Sequence, residues 1–455
     1  MQMSNIKLMP HQVANATSLA EAISKRRLAI DASQTGTGKT FTAFEVARLL
    51  QQPCLFVAPL STHKQTWNAA QQFFGDDFEK MFLGITNSEA LRSRQCDMLV
   101  GRDAAGNRYW KDVEPFASAL LVWDEFHRGC SGMDSQLTKL FYAAASRKGG
   151  LLAMSATPAM TPLQSRAIAV ASGACGSGKM AFERFAIKHG CVRATWFPGH
   201  PLQFRGNPRD ADKWMTTLRD TLVAHGATFA RTLSSEIPSF PETEILPYPC
   251  AVDPKEMSCA ADALRNLLGS SAVQNAGERM RMRALVESLK APAVADFTEE
   301  LRAQGYSPVV FCCFLDTIDK LSRELLRRGL RVSVLTGDTS AQARQEEIEA
   351  FQRDDADVFV TQIAAGGVGL SLHAVEGSGK RPRVSVVMPC DNPADFLQAF
   401  GRIHRAGGGF TKQFVPVVPK SDEEIIMSRF AAKKAGLEAL CRPQPARRAA
   451  EAAVA

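Results

Sequence analysis

The sequence predicts an α/β protein: two doubly wound parallel-sheet domains in tandem, separated by a helical and irregular insertion. Three observations predict it. Short apolar runs alternate with helix-length segments through the first third of the chain, the pattern of strands buried on both faces and joined by crossover helices. The same alternation returns after residue 308. Between them, residues 166–237 are aromatic-rich and broken by proline and glycine, and Pro238, Pro241, Pro247 and Pro249 crowd the stretch that follows.

Each element has its own warrant. In the first domain, expected over 1–165, strands are read at Arg27–Asp31, Cys54–Ala58, Asp97–Val100, Ala119–Trp123 and Leu151–Met154. Phe44, Ala47 and Leu50 recur at helical spacing over Phe41–Leu50. Residues 166–250 are expected to be the insertion and a proline-rich linker, with 238–249 stiff and extended. Trp196, Phe197, Phe204 and Trp214 form either the core of that insertion or a surface on which bases stack. The second domain is expected over 251–440. It opens with helix at 254–304 and continues with strands at Pro308–Phe314, Arg331–Leu335, Asp357–Val360, Arg383–Val387 and Phe414–Val418. After Pro308–Phe314 a helix capped by Asp316 carries Ile318, Leu321, Leu325 and Leu326 on one face and stops at Gly329. Residues 441–455, rich in Ala, Arg and Pro, are expected to be a disordered tail.

Bulk properties exclude several classes. With 455 residues, 45% apolar and 22% charged, the chain can bury two or three full cores. A net charge of +7 leans toward a polyanionic partner. The 11 cysteines are an odd number with no Cys-x-x-Cys pair, which points to a reducing compartment rather than a disulfide framework or zinc site. No apolar run of membrane-spanning length or secretory h-region occurs, so a soluble cytoplasmic protein without a membrane partner is expected. His63, His189, His200 and His225 show no metal-ligand spacing.

Two segments carry chemistry. Ser33-Gln-Thr-Gly-Thr-Gly-Lys-Thr40 joins a strand to a helix. Gly36 and Gly38 let backbone N–H groups turn inward around an anion, and the helix N-terminus adds partial positive charge. Lys39 has the reach for β- and γ-phosphates, and the Thr40 hydroxyl suits Mg²⁺. Gln34, Thr35, Gly36, Thr37, Gly38, Lys39 and Thr40 are therefore the expected nucleotide cradle; the usual first glycine is Ser33 here. Asp124 and Glu125 end an apolar strand, the place where parallel sheets bind ligands. Asp124 is expected to hold Mg²⁺ and Glu125 to polarise the attacking water. A second glycine-rich stretch, 173–180, lacks the Ser or Thr for a metal and a preceding strand, and is read as a loop. In the second domain, Gln398-Ala-Phe-Gly-Arg-Ile-His-Arg405 is expected on a helix, with Arg402 and Arg405 on one face. They are candidates to stabilise transition-state charge on a phosphate if the two halves close on one nucleotide.

The order of these segments resembles the superfamily-two helicases and translocases. Leu8-Met-Pro-His-Gln12 looks like their upstream Gln motif, with Gln12 reading adenine through one donor and one acceptor. Ser33–Thr40 looks like motif I, 56–67 like motif Ia, Asp124–His127 like a DExH motif II and Ser155-Ala-Thr-Pro158 like motif III. Val309–Phe314 looks like motif IV, Thr361–Ser371 like motif V and Gln398–Arg405 like motif VI. Pro59–Trp67, Asp124–Arg128 and Asn392–Arg405 are most similar to the Swi/Snf-type DNA translocases. Motif I departs from that family's usual Met-Gly-Leu-Gly-Lys-Thr, and Ala-Gly-Gly follows Arg405 where Gly-Gln is usual.

The resemblance implies two RecA-like domains, ATP and Mg²⁺ as cofactors, and nucleic acid as partner, with DNA favoured. It implies that His127, Ser155, Thr157 and Gln398 couple the nucleotide state to the nucleic acid. It places strand contacts at Pro59, Ser61, Thr62, Thr361, Gly366 and Gly367. The expected activity is an ATP-driven double-stranded DNA motor that remodels, reanneals or displaces protein. The alternatives are a strand-unwinding DNA or RNA helicase of another branch, and a catalytically silent helicase-like scaffold.

Overall fold

A computed structural model describes residues 6–130, 135–194, 201–204, 207–238, 240–253, 255–258, 276–366, 371–374, 381–405 and 407–442. The chain divides into two compact units: one runs to Ile237 and includes the segment from Ala431, and the other is Pro238–Phe430.

The first unit is built on β1 (Leu28–Asp31), β2 (Cys54–Val57), β3 (Phe82–Thr86), β4 (Val100–Arg102), β5 (Arg108–Trp110), β6 (Leu120–Asp124), β7 (Leu151–Met154), β8 (Cys191–Arg193), β9 (Leu202–Phe204) and β10 (Phe229–Ala230). Six of these form one parallel sheet in the order β10-β1-β7-β6-β2-β3. Residues of β1, β2 and β7 are buried throughout, because helices cover both faces. On one face Phe44, Phe56, Phe73, Phe74 and Phe82 pack together with the helices Pro10–Arg26, Lys39–Leu50 and His63–Phe74. On the other, Trp123 and Phe126 meet Phe141 at ring-centroid distances of 5.4 and 5.0 Å.

The second unit contains β11 (Thr243–Pro249), β12 (Ser307–Cys312), β13 (Val332–Leu335), β14 (Val358–Gln362), β15 (Arg383–Val387) and β16 (Thr411–Val417). They pair in parallel as β11-β16-β15-β12-β14-β13. Alternate residues of β12 serve opposite cores: Val310 and Cys312 pack with Ile318, Leu321 and Leu325, while Val309 and Phe311 pack with Phe359, Phe396 and Ile403.

Several elements differ from expectation. Asp97–Val100 is not a strand of the main sheet. The chain from Val100 forms an antiparallel hairpin with β5, closed by a turn in which Asn107 N–H donates to Asp103 Oδ1 (2.7 Å) and Gly106 takes φ 79°. Local turn chemistry outweighs the apolar run. The sheet edge goes instead to β3, whose Gly84 accompanies a register shift against β2. The stretch 238–249 is in part a strand: β11 lies at the edge of the second sheet, where prolines without an N–H are tolerated. The stretch expected as an insertion contributes β10 to the first sheet. Asp316 does not cap its helix, which runs Leu315–Arg327; it lies in the first turn and accepts from Ser288 Oγ (2.7 Å). Leu326 is exposed. Residues 173–178 follow a helix, Arg166–Ala171, and Gly178 precedes the helix Lys179–Lys188. Trp214 packs on Gly190, where a Cβ would come within 2.5 Å of the indole. Trp196, Phe197 and the tail from 443 lie outside the described residues.

A buried ion pair ties the second unit together. Lys290 Nζ is fully buried, 2.6 Å from Glu423 Oε1 and 3.0 Å from the Pro416 carbonyl, and Glu423 Oε2 accepts from Val418 N–H. Removing one partner strands the other charge in the interior. Lys290→Met is expected to cost ~3 kcal/mol in denaturant unfolding, and Lys290→Met with Glu423→Leu to recover more than half of that loss.

Candidate active site

Parallel strands end on the same side of a sheet, and the first unit uses that side for its polar segments. The loop 33–38 follows β1, Pro59–Thr62 follows β2, Asp124 and Glu125 end β6, and Ser155–Thr157 follow β7. Strands β1, β7, β6 and β2 are consecutive neighbours in the sheet, which gathers four segments spread over residues 33–157.

The loop leads directly into the helix Lys39–Leu50. Gly38 precedes it with φ 85°, Gly36 has φ 86°, and no side chain caps the first turn. Its leading N–H groups are thus left for an anion. Lys39 Nζ donates to the carbonyls of Ser33 (2.9 Å) and Gln34 (3.2 Å). Thr37 Oγ1 donates to Gln34 O. Thr40 is half-buried in the first helical turn. Gln12 is buried against this loop. Its Nε2 lies 3.3 and 3.4 Å from the carbonyls of Thr37 and Gly38, and its Oε1 accepts from Met9 N–H (2.9 Å). Both donors of the amide and one acceptor position are thereby used within the protein, and one acceptor position remains. Glycine is needed at 38 for its φ, and a Cβ there, 2.1 Å from Gln12 Nε2, would also push the amide off the loop.

At the end of β6, Glu125 adopts φ 48°, a left-handed conformation unusual for a side-chain-bearing residue. Its N–H donates to Asp124 Oδ1 (3.0 Å), and its Oε2 lies 3.3 Å from His127 Nδ1. His127 Nδ1 also meets Ser155 Oγ at 2.8 Å, and Ser155 Oγ accepts from Thr157 N–H at 2.9 Å. Ser155 N–H in turn donates to Asp31 O. Residues 125, 127, 155 and 157 therefore form one connected polar chain between two strand ends. Surrounding protein, followed by the Glu125 carboxylate, pushes the Asp124 carboxyl up to about 7, against the pull of Lys39. Burial likewise raises Asp31, which Lys39 and hydrogen bonding to Ser33 partly offset. Asp31 and Asp124 thus share the field of one lysine, with Glu125 beside Asp124.

That imbalance fits a divalent cation. Among the described residues, no group of three or more His, Cys, Asp or Glu side chains has metal-binding geometry. The arrangement suits an ion held partly by a substrate's phosphates, with Thr40 and Asp124 as the protein's contribution.

The segment after β2 is a short 3₁₀ turn, Leu60–Thr62, with Thr62 Oγ1 donating to Pro59 O (2.8 Å) and Ser61 at its centre. In the second unit, Thr361 is buried near the end of β14, and the turn Ile363–Gly366 follows it. Gly367 lies outside the described residues. Gln398 is buried in the helix Pro393–Phe400. That helix ends before Arg402 and Arg405, so the two arginines do not share a helix face as expected. Gly401, which follows Phe400, ends the helix, and the chain turns. Arg402 is buried, its carbonyl accepting from Leu372 N–H (3.0 Å). Arg405 Nη1 donates to Ser371 Oγ (2.7 Å).

Sequence reading missed three loop partners. Asn15, Thr232 and Ser234 hydrogen-bond to Ser33 and Gln34. The available signal was Ser33 itself, a hydroxyl at a glycine position.

The raised Asp124 carboxyl has a consequence for stability. Its folded value lies above the usual 3.8, so folding disfavours its ionised form. The protein is most favoured by this group below pH 4 and loses that contribution as pH rises through about 7. Without nucleotide or divalent cation, Asp124→Asn is expected to raise the thermal midpoint at pH 8 by roughly 3–6 °C, the gain vanishing near pH 4.

Comparison with known proteins places these features. Residues 5–160 match the family model "Type III restriction enzyme, res subunit", and residues 290–407 match "Helicase conserved C-terminal domain". The chain is 24% identical to the "Putative ATP-dependent RNA helicase L364" of Acanthamoeba polyphaga mimivirus, over 96% of this chain and 84% of that protein. It is 28% identical to Chromodomain-helicase-DNA-binding protein 8 of Xenopus tropicalis over 161 residues, 34% of this chain and only 7% of that protein. Among solved structures, S. cerevisiae Dbp5 bound to RNA and ADP BeF3 aligns over 94% of this chain and 91% of its own, with 15% identity and a TM-score of 0.48. No described helix is long and apolar enough to cross a membrane. Two matched domains in this order, each on its own six-stranded parallel sheet, identify the chain as a helicase-like enzyme that hydrolyses ATP.

Proposed function

We propose that the chain is an ATP-driven motor on double-stranded DNA, cycling through Mg²⁺-dependent hydrolysis at the loop 33–40. The observation that carries this reading is the chain of contacts from Glu125 through His127 and Ser155 to Thr157. It runs between the ends of β6 and β7, beside the phosphate loop. A bare ATPase needs no such link. A motor needs the γ-phosphate state reported to a segment that grips its track.

Each residue then has a role. Lys39 exchanges the carbonyls of Ser33 and Gln34 for the β- and γ-phosphate oxygens. Gly36, Gly38 and the first helical turn supply N–H donors, with Gln34, Thr35 and Thr37 completing the cradle. Gln12 exchanges a long contact to the Thr37 or Gly38 carbonyl for the adenine acceptor and offers its remaining acceptor position to the adenine donor. Thr40 and Asp124 hold Mg²⁺, which when bound neutralises phosphate charge. Glu125, aimed by its left-handed backbone, orients the attacking water and takes its proton. Arg402 and Arg405 stabilise charge that develops on the transferring phosphoryl group, with Gln398 supporting that segment. Pro59, Ser61, Thr62, Thr361, Gly366 and Gly367 contact the strand through backbone and hydroxyl groups, which hold phosphates without reading sequence. Binding is therefore salt-dependent and tolerant of sequence.

The DNA preference rests on the Swi/Snf-like segments Pro59–Trp67, Asp124–Arg128 and Asn392–Arg405, and on the partial similarity to chromodomain-helicase-DNA-binding proteins. A second reading, RNA as the track, is favoured by the mimivirus relative, which is named as an RNA helicase and matches nearly the whole chain.

Steady-state ATPase assays with duplex DNA, single-stranded DNA, RNA or no polymer separate the readings. Duplex DNA is expected to stimulate turnover at least tenfold over RNA; stimulation by RNA alone would transfer the function to the second reading. Absence of turnover with every polymer, ATP binding being intact, would leave a silent scaffold. Glu125→Gln is expected to lower kcat by ~10²–10⁴-fold. Arg405→Lys, which keeps charge but loses the planar fork, is expected to lower kcat by ~10²-fold or more with little change in KM for ATP.

A further inference from the structure

Position 33 is where the phosphate loop carries a serine in place of the usual first glycine, and the structure shows what the hydroxyl does. Ser33 is buried and all its polar atoms are engaged. Its N–H donates to Asp31 Oδ1 (2.9 Å) and its carbonyl accepts from Lys39 Nζ (2.9 Å). Its Oγ accepts from Asn15 Nδ2 (3.2 Å) and from Thr232 N–H (3.0 Å). Asn15 Nδ2 also donates to Thr232 Oγ1 (2.9 Å). Gln34 is held from the same side: its N–H donates to Thr232 O (3.0 Å), and its Oε1 accepts from Ser234 N–H (2.8 Å). Three segments meet here: the helix Pro10–Arg26, the loop, and the stretch following β10, some two hundred residues along the chain.

The carbonyls of Ser33 and Gln34 are the two that hold Lys39 Nζ. Whatever fixes those two peptide planes also fixes where the lysine waits and how the following N–H groups face. A glycine at 33 would offer no side chain for this anchoring and would leave the loop more conformational freedom to lose on binding.

We propose that Asn15 and Thr232 are positioning residues for ATP binding, acting through Ser33 to preset the phosphate loop. This rests on reading residues 33–40 as the triphosphate cradle. Neither residue touches the nucleotide. Each lowers the ordering cost that the loop meets when the triphosphate arrives, so the effect falls on ground-state affinity and not on the chemical step.

The test is a double-mutant cycle on the full chain, read as KM and kcat for MgATP with unfolding midpoints measured alongside. Asn15→Ala and Ser33→Ala are each expected to raise KM about tenfold, since each removes two hydrogen bonds at this junction. Asn15→Ala is expected to leave kcat within twofold. The double variant is expected to be no worse than Ser33→Ala, because the asparagine acts through the serine hydroxyl. Thr232→Val is expected to raise KM, and Thr232→Ser, which keeps the hydroxyl, to restore it. Additive effects of Asn15→Ala and Ser33→Ala, or an unchanged KM in Asn15→Ala, would overturn the proposal. So would equal behaviour of Thr232→Val and Thr232→Ser, a comparison that holds even if Asn15→Ala unfolds. Lys39→Ala separates the two levels. Wild-type turnover in that variant would sink the cradle reading itself. A dead Lys39→Ala beside a normal Asn15→Ala would remove only the positioning role.

Discussion

One lysine faces two buried carboxylates, and the first unit is organised around that imbalance. Lys39 is the cation that offsets Asp31 and Asp124, and Glu125 adds a further acid beside Asp124. In a medium of low polarity such a set is held together only because strands force it: β1, β6 and β7 are side by side and end together. Packing of the sheet confers the stability that the charge cluster consumes. A cation arriving with a polyanion relieves the cluster, so binding and relief of internal repulsion are one event. Site chemistry and protein stability are therefore linked through the same few atoms.

The parallel sheet is the second constraint. Both faces of each sheet are sealed by helices, which leaves only strand ends for polar work. All four polar segments of the first unit sit at one set of ends, and their loops are short. The second unit repeats the plan without a phosphate loop. Its polar turns follow β14 and the helix Pro393–Phe400 instead. The left-handed backbone of Glu125 shows how little freedom such an end has, since the chain turns sharply where the carboxylate meets His127.

What was legible in the sequence follows from these constraints. Strands β1, β2, β6, β7 and β12 were readable because burial on both faces writes a largely apolar run, as in Leu120–Trp123 or Leu151–Met154. Strand β10 was not, since two residues, Phe229 and Ala230, carry no period at all. Strand β11 was hidden by its prolines, which an edge tolerates and an interior strand does not. Asp97–Val100 misled because a local Asp103–Asn107 turn captured the run for a hairpin. At the site, segments that are contiguous in sequence could be read directly. The partners that come from far away, Asn15 and Thr232, could not, because nothing local marks a residue that acts on a loop folded against it from elsewhere.

The return of the chain to its first unit has a consequence for synthesis. Residues from Ala431 belong to that unit. A Cβ at Gly436 would lie 3.1 Å from Met160 O and from Met215 Cγ, and Arg442 Nη2 donates to Asp212 Oδ1 (2.6 Å). Leu437, Ala439, Leu440 and Cys441 are buried. A nascent chain leaving the ribosome can close its second unit before its first, because the first lacks its covering segment until residues 431–442 emerge. During that interval the surface over Met160, Ala211 and Met215 is open to water and to other chains. The first unit thus stays incomplete while residues 238–430 are made.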